Sequence, residues 1–300
     1  MLDRPNERSS HSVPTPRGGG LGLVLAFLLA VVLSSWTSLG SVEACALVGV
    51  LLVAAIGWVD DHGGASVRAR LAVHLTGAAL LLPMLWSVPV LGLPLWASAA
   101  WWIFWTVAAV NVVNFMDGID GIIGLQMLIY GGYVAHLALP DVTAGHAGLA
   151  LAGASLGFLC WNWGPARIFM GDVGSGALGI LVVVIGGALM RDGAVDLVTA
   201  FAPLAPLFLD ATLTLVLRAR RRERLSDAHR THLYQRLANS RLGHRRVAVG
   251  FGCCSLACAV LATRATVSGW LLLPVLLAPC LLTWLAADIW LSRTARQMTR

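Results

Sequence analysis

The chain alternates long apolar stretches with short polar segments along almost all of its length. An α-helix needs roughly 20 predominantly apolar residues to cross the hydrocarbon core of a bilayer. Stretches of about this length lie at 19–36, 42–58, 71–91, 95–113, 119–138, 146–162, 174–190, 195–217, 247–264 and 268–290. The pattern predicts an all-α, polytopic membrane protein with about ten transmembrane helices, one or two of which could be re-entrant. We expect one membrane-embedded domain over residues 1–300.

Composition and charge agree with this class and predict an orientation. The chain is 58% hydrophobic and 12% charged, with a mean hydropathy of +0.78, which lies far outside the range of soluble domains. With the N-terminus in the cytoplasm, every arginine except Arg191 and Arg264 falls on the inner side, and the chain has no lysine. The positive-inside rule therefore places both termini in the cytoplasm. The basic balance is explained by topology, with phosphate binding as a further use of the arginines, and we expect no nucleic-acid partner.

The stretch NVVNFMDGIDG interrupts two apolar runs with amides and carboxylates. Asn111, Asn114, Asp117 and Asp120 recur every third position, so on a helix each would be rotated by about 60° from the last, and neighbours would share a face. Oxygen ligands on one face suit a hard cation such as Mg²⁺. The alternative is a polar turn between helices, which Asp-Gly pairs often form.

Two further polar segments fall on the same side of the membrane. In IFMGDVGSGALG, Asp172 lies in a glycine-rich turn before a helix, where Gly171 and Ser175 could help to bind an anion; a simple helix cap is the alternative. In GWVDDHGGASVRAR, Asp60 and Asp61 are adjacent and repel each other, so burial would require a nearby cation or a raised pKa. A solvated loop explains that pair equally well.

The segment 218–246 is predicted to be a long basic cytoplasmic loop. It contains His229, Arg230 and His232, and the two histidines at this spacing could bind a metal. Among so many arginines, however, anion binding is the better interpretation. His74, inside a predicted span, is interpreted as a packed residue. All these polar segments face the cytoplasm, which predicts a binding or catalytic face at the inner membrane surface.

Five motifs, taken together, resemble a known family. DRPNERSSHSVPTPRGGG, VDD, NVVNFMDGIDG, FMGDVGSG and AHRTH occur in the order and on the membrane side found in the polyprenyl-phosphate N-acetylhexosamine-1-phosphate transferases, glycosyltransferase family 4. The resemblance covers essentially the whole chain. It implies transfer of a sugar 1-phosphate from a UDP-N-acetylhexosamine to undecaprenyl phosphate, with release of UMP, at the bacterial inner membrane.

The resemblance also implies roles for particular residues. Asp172 is expected to be the principal ligand of Mg²⁺, with Mn²⁺ as an alternative, and Asp117 to serve the metal and catalysis together. The other expected catalytic residues are Asp60, Asp61 and Asp120. The expected substrate-binding residues are Asn111, Asn114, Gly171, Ser175, His229, Arg230 and His232.

Two departures from the family pattern narrow the expectation. Family members usually have one more span before the DRPN segment, which begins here at Asp3, so we expect a truncation or a misassigned start. The histidine segment HRTHLYQ lacks the consecutive histidines of the GlcNAc-transferring members and of the pentapeptide translocase. It resembles the branch that starts O-antigen, and so lipopolysaccharide, with sugars such as FucNAc or QuiNAc.

Several alternatives remain open from the sequence. The phospho-MurNAc-pentapeptide translocase of the same family is the nearest one. A transporter is an alternative from another class, because carboxylates at the membrane edge also mark ion paths. The sequence leaves the donor sugar open, and it does not decide between a monomer and a homodimer.

Overall fold

The computed structural model describes residues 2–3, 14–35, 40–90, 92–138, 143–193, 195–224, 229–266 and 269–298, with the side chains of 35 and 295–298 excepted. Within these ranges the regular secondary structure is helical apart from two short strands, β1 (Leu2–Asp3) and β2 (Thr15–Pro16), which pair antiparallel. The helices are α1 (Gly19–Ser35), α2 (Ser41–Gly63), α3 (Val67–Leu80), α4 (Leu82–Leu85), α5 (Leu95–Met116), α6 (Ile122–Ala138), α7 (Thr143–Asn162), α8 (Asp172–Arg191), α9 (Leu197–Phe201), α10 (Ala205–Arg220), α11 (Leu233–Ala238), α12 (Gly243–Arg264) and α13 (Leu272–Met298).

Many of these helices are long and apolar enough to cross a membrane. Seven segments of the described chain meet both requirements: Ser41–Gly63, Leu95–Met116, Thr143–Asn162, Asp172–Arg191, Leu197–Arg220, Gly243–Arg264 and Gly269–Thr294. Gly19–Ser34 and Ile122–Ala138 are apolar but shorter. The predicted span 71–91 is interrupted, since α3 ends at Leu80 and α4 occupies only four residues. The all-α, polytopic membrane class is confirmed, whereas the number ten stays a prediction.

Helix α8 lies at the centre of the bundle. It packs chiefly against α2 and α5 and also contacts α1, α6 and α7. Its glycines and aliphatic residues are buried along nearly its whole length. A helix that is apolar on all sides is stable only when other helices or lipid surround it. The first residues of α8 are therefore held in place by most of the fold.

The polar segments of the described chain meet at one end of this bundle. That end contains the C-termini of α2 and α5, the N-termini of α1 and α8, and the short helix α11. At the opposite end, Arg191 of α8 donates to Glu43 of α2 at 3.1 Å. The strand β2 leads into the polar end, where the backbone of Arg17 forms an isolated parallel β-bridge with Phe169, just before α8.

The structure adds helical elements to the segment 218–246, which is predicted to be a long basic loop. Helix α10 continues to Arg220, α11 occupies Leu233–Ala238, and α12 begins at Gly243. Arg218 and His232 are buried. Part of the segment is packed, because α11 lies against α10, α12 and α13, whereas residues 219–224 are exposed. Residues 4–13 of the first motif and 225–228 of this segment lie outside the described residues.

Candidate active site

The N-terminus of α8 is built around a carboxylate from another helix. Asp61, near the end of α2, accepts hydrogen bonds from the backbone N–H groups of Asp172 at 3.0 Å and Val173 at 3.1 Å. These N–H groups have no partner inside α8, because the first turn of a helix leaves its donors unsatisfied. Gly171 precedes them with φ +75°, and a Cβ there would lie 2.6 Å from Asp61 Oδ2. Asp61 therefore positions Asp172.

The side chain of Asp172 faces α5 and the end of α2. Asn114 Nδ2 donates to Asp172 Oδ1 and to Ser175 Oγ, both at 2.9 Å. Arg70 Nη1 lies 2.7 Å from Asp60 Oδ2 and 3.8 Å from Asp172 Oδ2. The predicted residues Asp60, Asn114, Asp172 and Ser175 thus lie together, and Arg70 offsets part of their negative charge.

The prediction of one helical face from 111 to 120 holds only for its first half. Helix α5 ends at Met116, and Asp117 has left the helical conformation with ψ 51°. Burial, followed by the nearby carboxylates of Asp172 and Asp61, raises the pKa of Asp117 well above its ordinary value. The carboxylates of Asp172 and Asp61 therefore act electrostatically on Asp117, and its role as a metal ligand stays a prediction.

Asp120 has a different environment. It accepts from the backbone N–H of Ala166 at 3.0 Å and lies 3.3 Å from Nδ1 of His244 on α12. Because the turn after Met116 rotates it away from the helical face, its carboxylate joins the α7–α8 connection to α12. These contacts are those of a positioning residue, and its direct role in catalysis stays a prediction.

The segment that carries the predicted histidines faces the same region. His232 is 2% exposed and directly precedes α11. Within the described chain, both of its ring nitrogens lack a hydrogen-bond partner, as do Nε and Nη2 of Arg230 and Oε1 of Gln235. Burial and then Arg218 lower the pKa of His232 to about 4, and burial likewise lowers that of His229 to about 4. Both rings are neutral at pH 7, and buried unpaired polar atoms of this kind indicate a ligand site.

A cleft of about 500 Å³ joins the two groups of residues. Asn111, Asn114 and Asp172 line one side, and His229, His232 and Gln235 line the other. Val53, Ile56, Val67 and Leu71 continue the lining along α2 and α3. The volume lies in the range of small-molecule sites, and the cleft has a polar part and an apolar part.

The carboxylates can contribute to a metal site but do not complete one. Among the described residues, no three His, Cys, Asp or Glu side chains are arranged to hold a metal alone. Mg²⁺ typically binds through one or two carboxylates, substrate phosphates and water. Asp172, at the cleft and beside Asn114, is a carboxylate of the kind that suits Mg²⁺, and its assignment with Asp117 as a metal ligand stays a prediction.

Sequence reasoning missed several residues of this region. The sequence marks Arg70 only as one of the arginines on the inner side, yet in the structure it contacts Asp60. His74 was interpreted as packed, yet it lines the cleft. Asp210, a fully buried carboxylate on α10, caps α11. Its isolated charge within a predicted span was the available signal, because ionisable residues inside a membrane usually serve a function.

Comparisons with known proteins identify the family. Residues 44–189 match the model of "Glycosyl transferase family 4". The chain is 33% identical to the decaprenyl-phosphate N-acetylglucosaminephosphotransferase of Mycobacterium tuberculosis, over 81% of this chain and 70% of that protein. It is 27% identical to the "probable undecaprenyl-phosphate N-acetylglucosaminyl 1-phosphate transferase" of Bacillus subtilis, over 81% and 71%.

A more distant group of relatives has another named substrate. The phospho-N-acetylmuramoyl-pentapeptide-transferase of Microcystis aeruginosa is 33% identical over 61% of this chain and 56% of that protein. The matches to the N-acetylglucosamine transferases cover more of both sequences. The chain therefore belongs to glycosyl transferase family 4, the polyprenyl-phosphate hexosamine-1-phosphate transferases.

Proposed function

We propose that this protein transfers an N-acetylhexosamine 1-phosphate from a UDP-sugar to undecaprenyl phosphate, giving undecaprenyl-diphospho-sugar and UMP. The observation that carries the proposal is the cleft in which Asp172 and Asn114 face the unpaired polar atoms of His232 and Gln235. A nucleotide-diphosphate sugar requires charge compensation at its phosphates and hydrogen bonds to its polar groups, and the two sides of the cleft offer these contacts. The apolar lining along α2 and α3 would accommodate the start of a polyprenyl chain.

In this reaction an oxygen of the lipid phosphate attacks the sugar-proximal phosphorus of the donor. A new P–O bond forms there while the bond to the uridylyl phosphate breaks, and UMP leaves with the electron pair. A phosphate monoester has a second pKa of about 6, so the attacking group is already largely a dianion at pH 7. Asp60 is therefore not required as a strong base, and we assign it to orienting Arg70, which it contacts at 2.7 Å.

The chain's own residues would mainly position and neutralise the reactants. Mg²⁺ held by Asp172 and Asp117, when bound, would stabilise negative charge on the transferring phosphate. Asn114 orients Asp172, and Arg70 adds a positive charge at the same place. The neutral rings of His229 and His232 are suited to hydrogen bonding with the donor. Positioning and charge stabilisation account for most catalysis in phosphoryl transfer.

The wider setting belongs to the same proposal. We infer ten membrane crossings, formed by the seven long helical segments, α1, α6 and the interrupted α3–α4 unit, with both termini and the active face in the cytoplasm. The product would begin O-antigen or another cell-envelope polysaccharide. The named N-acetylglucosamine transferases among the relatives make UDP-GlcNAc the first donor to test, followed by UDP-FucNAc and UDP-QuiNAc.

The test is an assay of UMP release by the purified protein in lipid nanodiscs. It contains undecaprenyl phosphate, Mg²⁺ and one donor at a time, with UDP-MurNAc-pentapeptide included because pentapeptide transferases are also among the relatives. We expect UMP and a lipid-linked sugar with one of the N-acetylhexosamine donors. Turnover of only the pentapeptide donor would favour the second candidate, and no product with any donor would contradict the proposal.

A further inference from the structure

Helix α11 is too short to be stable without support. It contains six residues, whereas isolated helices need at least about 12 residues to be even marginally stable in water. His232 precedes its first residue, and Gln235 lies within it; both line the cleft. The position of these two side chains thus depends on whatever holds the N-terminus of α11.

A single buried carboxylate holds that N-terminus. Asp210 of α10 is 0% exposed, and its Oδ1 accepts from the backbone N–H of Leu233 at 2.9 Å. Its Oδ2 accepts from the N–H of Tyr234 at 3.1 Å. Leu233 directly follows His232, so the restraint acts one residue away from the histidine. The sequence separation of more than twenty residues makes this a tertiary contact.

Asp210 also joins α11 to the last long helix. Trp284 Nε1 of α13 donates to Oδ1 at 3.1 Å, and Thr214 Oγ1 donates to the same oxygen at 3.4 Å. All these donors are neutral, and among the described residues no cation forms an ion pair with Asp210. A carboxylate suits this place because both of its oxygens accept, whereas an amide offers only one acceptor.

Helix α11 is also attached to α5, the helix that carries Asn114 on the other side of the cleft. Tyr234 donates its hydroxyl to the backbone oxygen of Phe115 at 2.8 Å, at the end of α5. Arg236 forms an ion pair with Asp288 of α13 at 2.5 Å. These two contacts hold the side chains of α11. The position of its N-terminus depends on Asp210.

We infer that Asp210 is a positioning residue for the sugar-nucleotide donor: by fixing the first two N–H groups of α11, it holds the His232 ring and the Gln235 side chain in the cleft. It does not touch the substrate. The inference rests on the proposed function, since it takes the cleft to be the donor site. It predicts that the donor, rather than the lipid acceptor or Mg²⁺, loses affinity when this carboxylate is changed.

The first experiment compares Asp210→Asn with a matched control. The amide would accept from only one of the two N–H groups, and the resulting shift of α11 should raise the donor KM about tenfold, the effect of losing one buried hydrogen bond. The acceptor KM and the Mg²⁺ dependence should stay near the wild-type values. The control is Asp196→Asn, which alters the carboxylate that caps its own short helix α9 through Val198 and Thr199 and also accepts from Gly269. It should lower the melting temperature without changing the donor KM.

The second experiment asks whether Asp210 acts through His232. In a double-mutant cycle, Asp210→Asn should raise the donor KM much less in a His232→Ala background than in the wild type, because the ring it positions is then absent. Full additivity of the two effects would overturn the inference, as would an Asp210→Asn protein that loses acceptor affinity instead. If Asp210→Asn does not fold, Trp284→Phe keeps the carboxylate and removes one donor; it should raise the donor KM about twofold to threefold, and an unchanged value would overturn the inference.

A binding measurement separates this inference from the proposed function. Calorimetric titration of the intact protein with UDP-GlcNAc does not depend on turnover. Weaker binding by Asp210→Asn than by Asp196→Asn would support the inference even if the wild type released no UMP. Equal binding by both variants and the wild type would overturn it, even if the transferase activity were demonstrated.

Discussion

The candidate site has a carboxylate half around Asp172 and a histidine half around His232. Both halves are positioned in the same way. In the carboxylate half, Asp61 of α2 accepts from the first two N–H groups of α8, whose first residue is Asp172. In the histidine half, Asp210 of α10 accepts from the first two N–H groups of α11, directly after His232. In each, a buried carboxylate from a neighbouring helix places the functional side chain at the start of another helix.

The halves differ in what else supports them. Helix α8 has 20 residues, runs through the bundle and is buried along nearly its whole length. Helix α11 has six residues and depends on a few side-chain contacts. The carboxylate half is therefore as rigid as the core, while the histidine half can be altered by few substitutions. We expect the chemistry common to the family to lie in the first half and the choice of donor to lie in the second.

The largest expected effect is in the carboxylate half. Asp172→Asn should lower turnover by about 10³-fold or more, because an amide keeps the shape but loses the charge that binds a divalent cation. UMP release by the purified variant measures this. Asp192→Asn, at the other end of α8, is the control and should retain activity. Release at the wild-type rate from Asp172→Asn would remove Asp172 from the metal site.

The next effect separates the two adjacent aspartates. Asp61→Asn leaves one N–H group of α8 without an acceptor, which should cost about 1–3 kcal/mol of stability and also reduce turnover. Asp60→Asn should reduce turnover with little loss of melting temperature, since its partner Arg70 is 37% exposed and such ion pairs contribute little. Turnover and thermal unfolding of both variants test this. Equal losses of stability would contradict the assignment of Asp61 as the cap.

A smaller effect is expected at the junction between the halves. A methyl group at Gly118 would overlap the hydroxyl of Tyr234, which bonds to Phe115. Gly118→Ala should therefore displace α11 and raise the donor KM about tenfold. Gly132→Ala is the control, because its added methyl group meets no atom within 4 Å. A wild-type KM in Gly118→Ala would show that the two halves are not coupled through Tyr234.

The smallest effect is a pH dependence confined to the histidine half. The pKa of buried His232 is about 4 in the folded protein, against about 6.5 in an unfolded chain. As the pH falls from about 6.5 towards 4, the unfolded chain takes up a proton that the folded ring does not, so stability falls. His232→Gln should lessen this fall, which melting temperatures between pH 7.5 and 4.5 would measure. An identical pH profile in the variant would contradict the burial of this ring.

Much of the site could be predicted from local spacing because its residues lie at helix ends. The sequence predicts that their segments share one side of the membrane, and in the structure Asp60, Asn114 and Asp172 lie together at one end of the bundle. Spacing misled where the helix stopped: Asp120 continues the three-residue pattern of Asn111 and Asn114, but the turn after Met116 directs it to His244.

Other features of the structure could not be predicted, because they depend on contacts between residues that are distant in the sequence. Nothing near Asp210 in the sequence indicates that it caps a helix more than twenty residues later. The basic character of 218–246 predicts a long loop, and only the structure shows that α11 and Arg218 within it are packed. The burial of Asp210 depends on partners from α11 and α13, and those partners have no local signature.

The sequence by itself determined the all-α membrane class, most helix positions, the family and the groups that carry the proposed chemistry, because apolar length and motif spacing are local properties. The tertiary structure decided which carboxylates face a ligand and which hold a helix. Asp61 and Asp60 are adjacent in sequence, yet Asp61 caps α8 and Asp60 contacts Arg70. The physical reason is that successive residues on a helix point about 100° apart, so each meets a different neighbour.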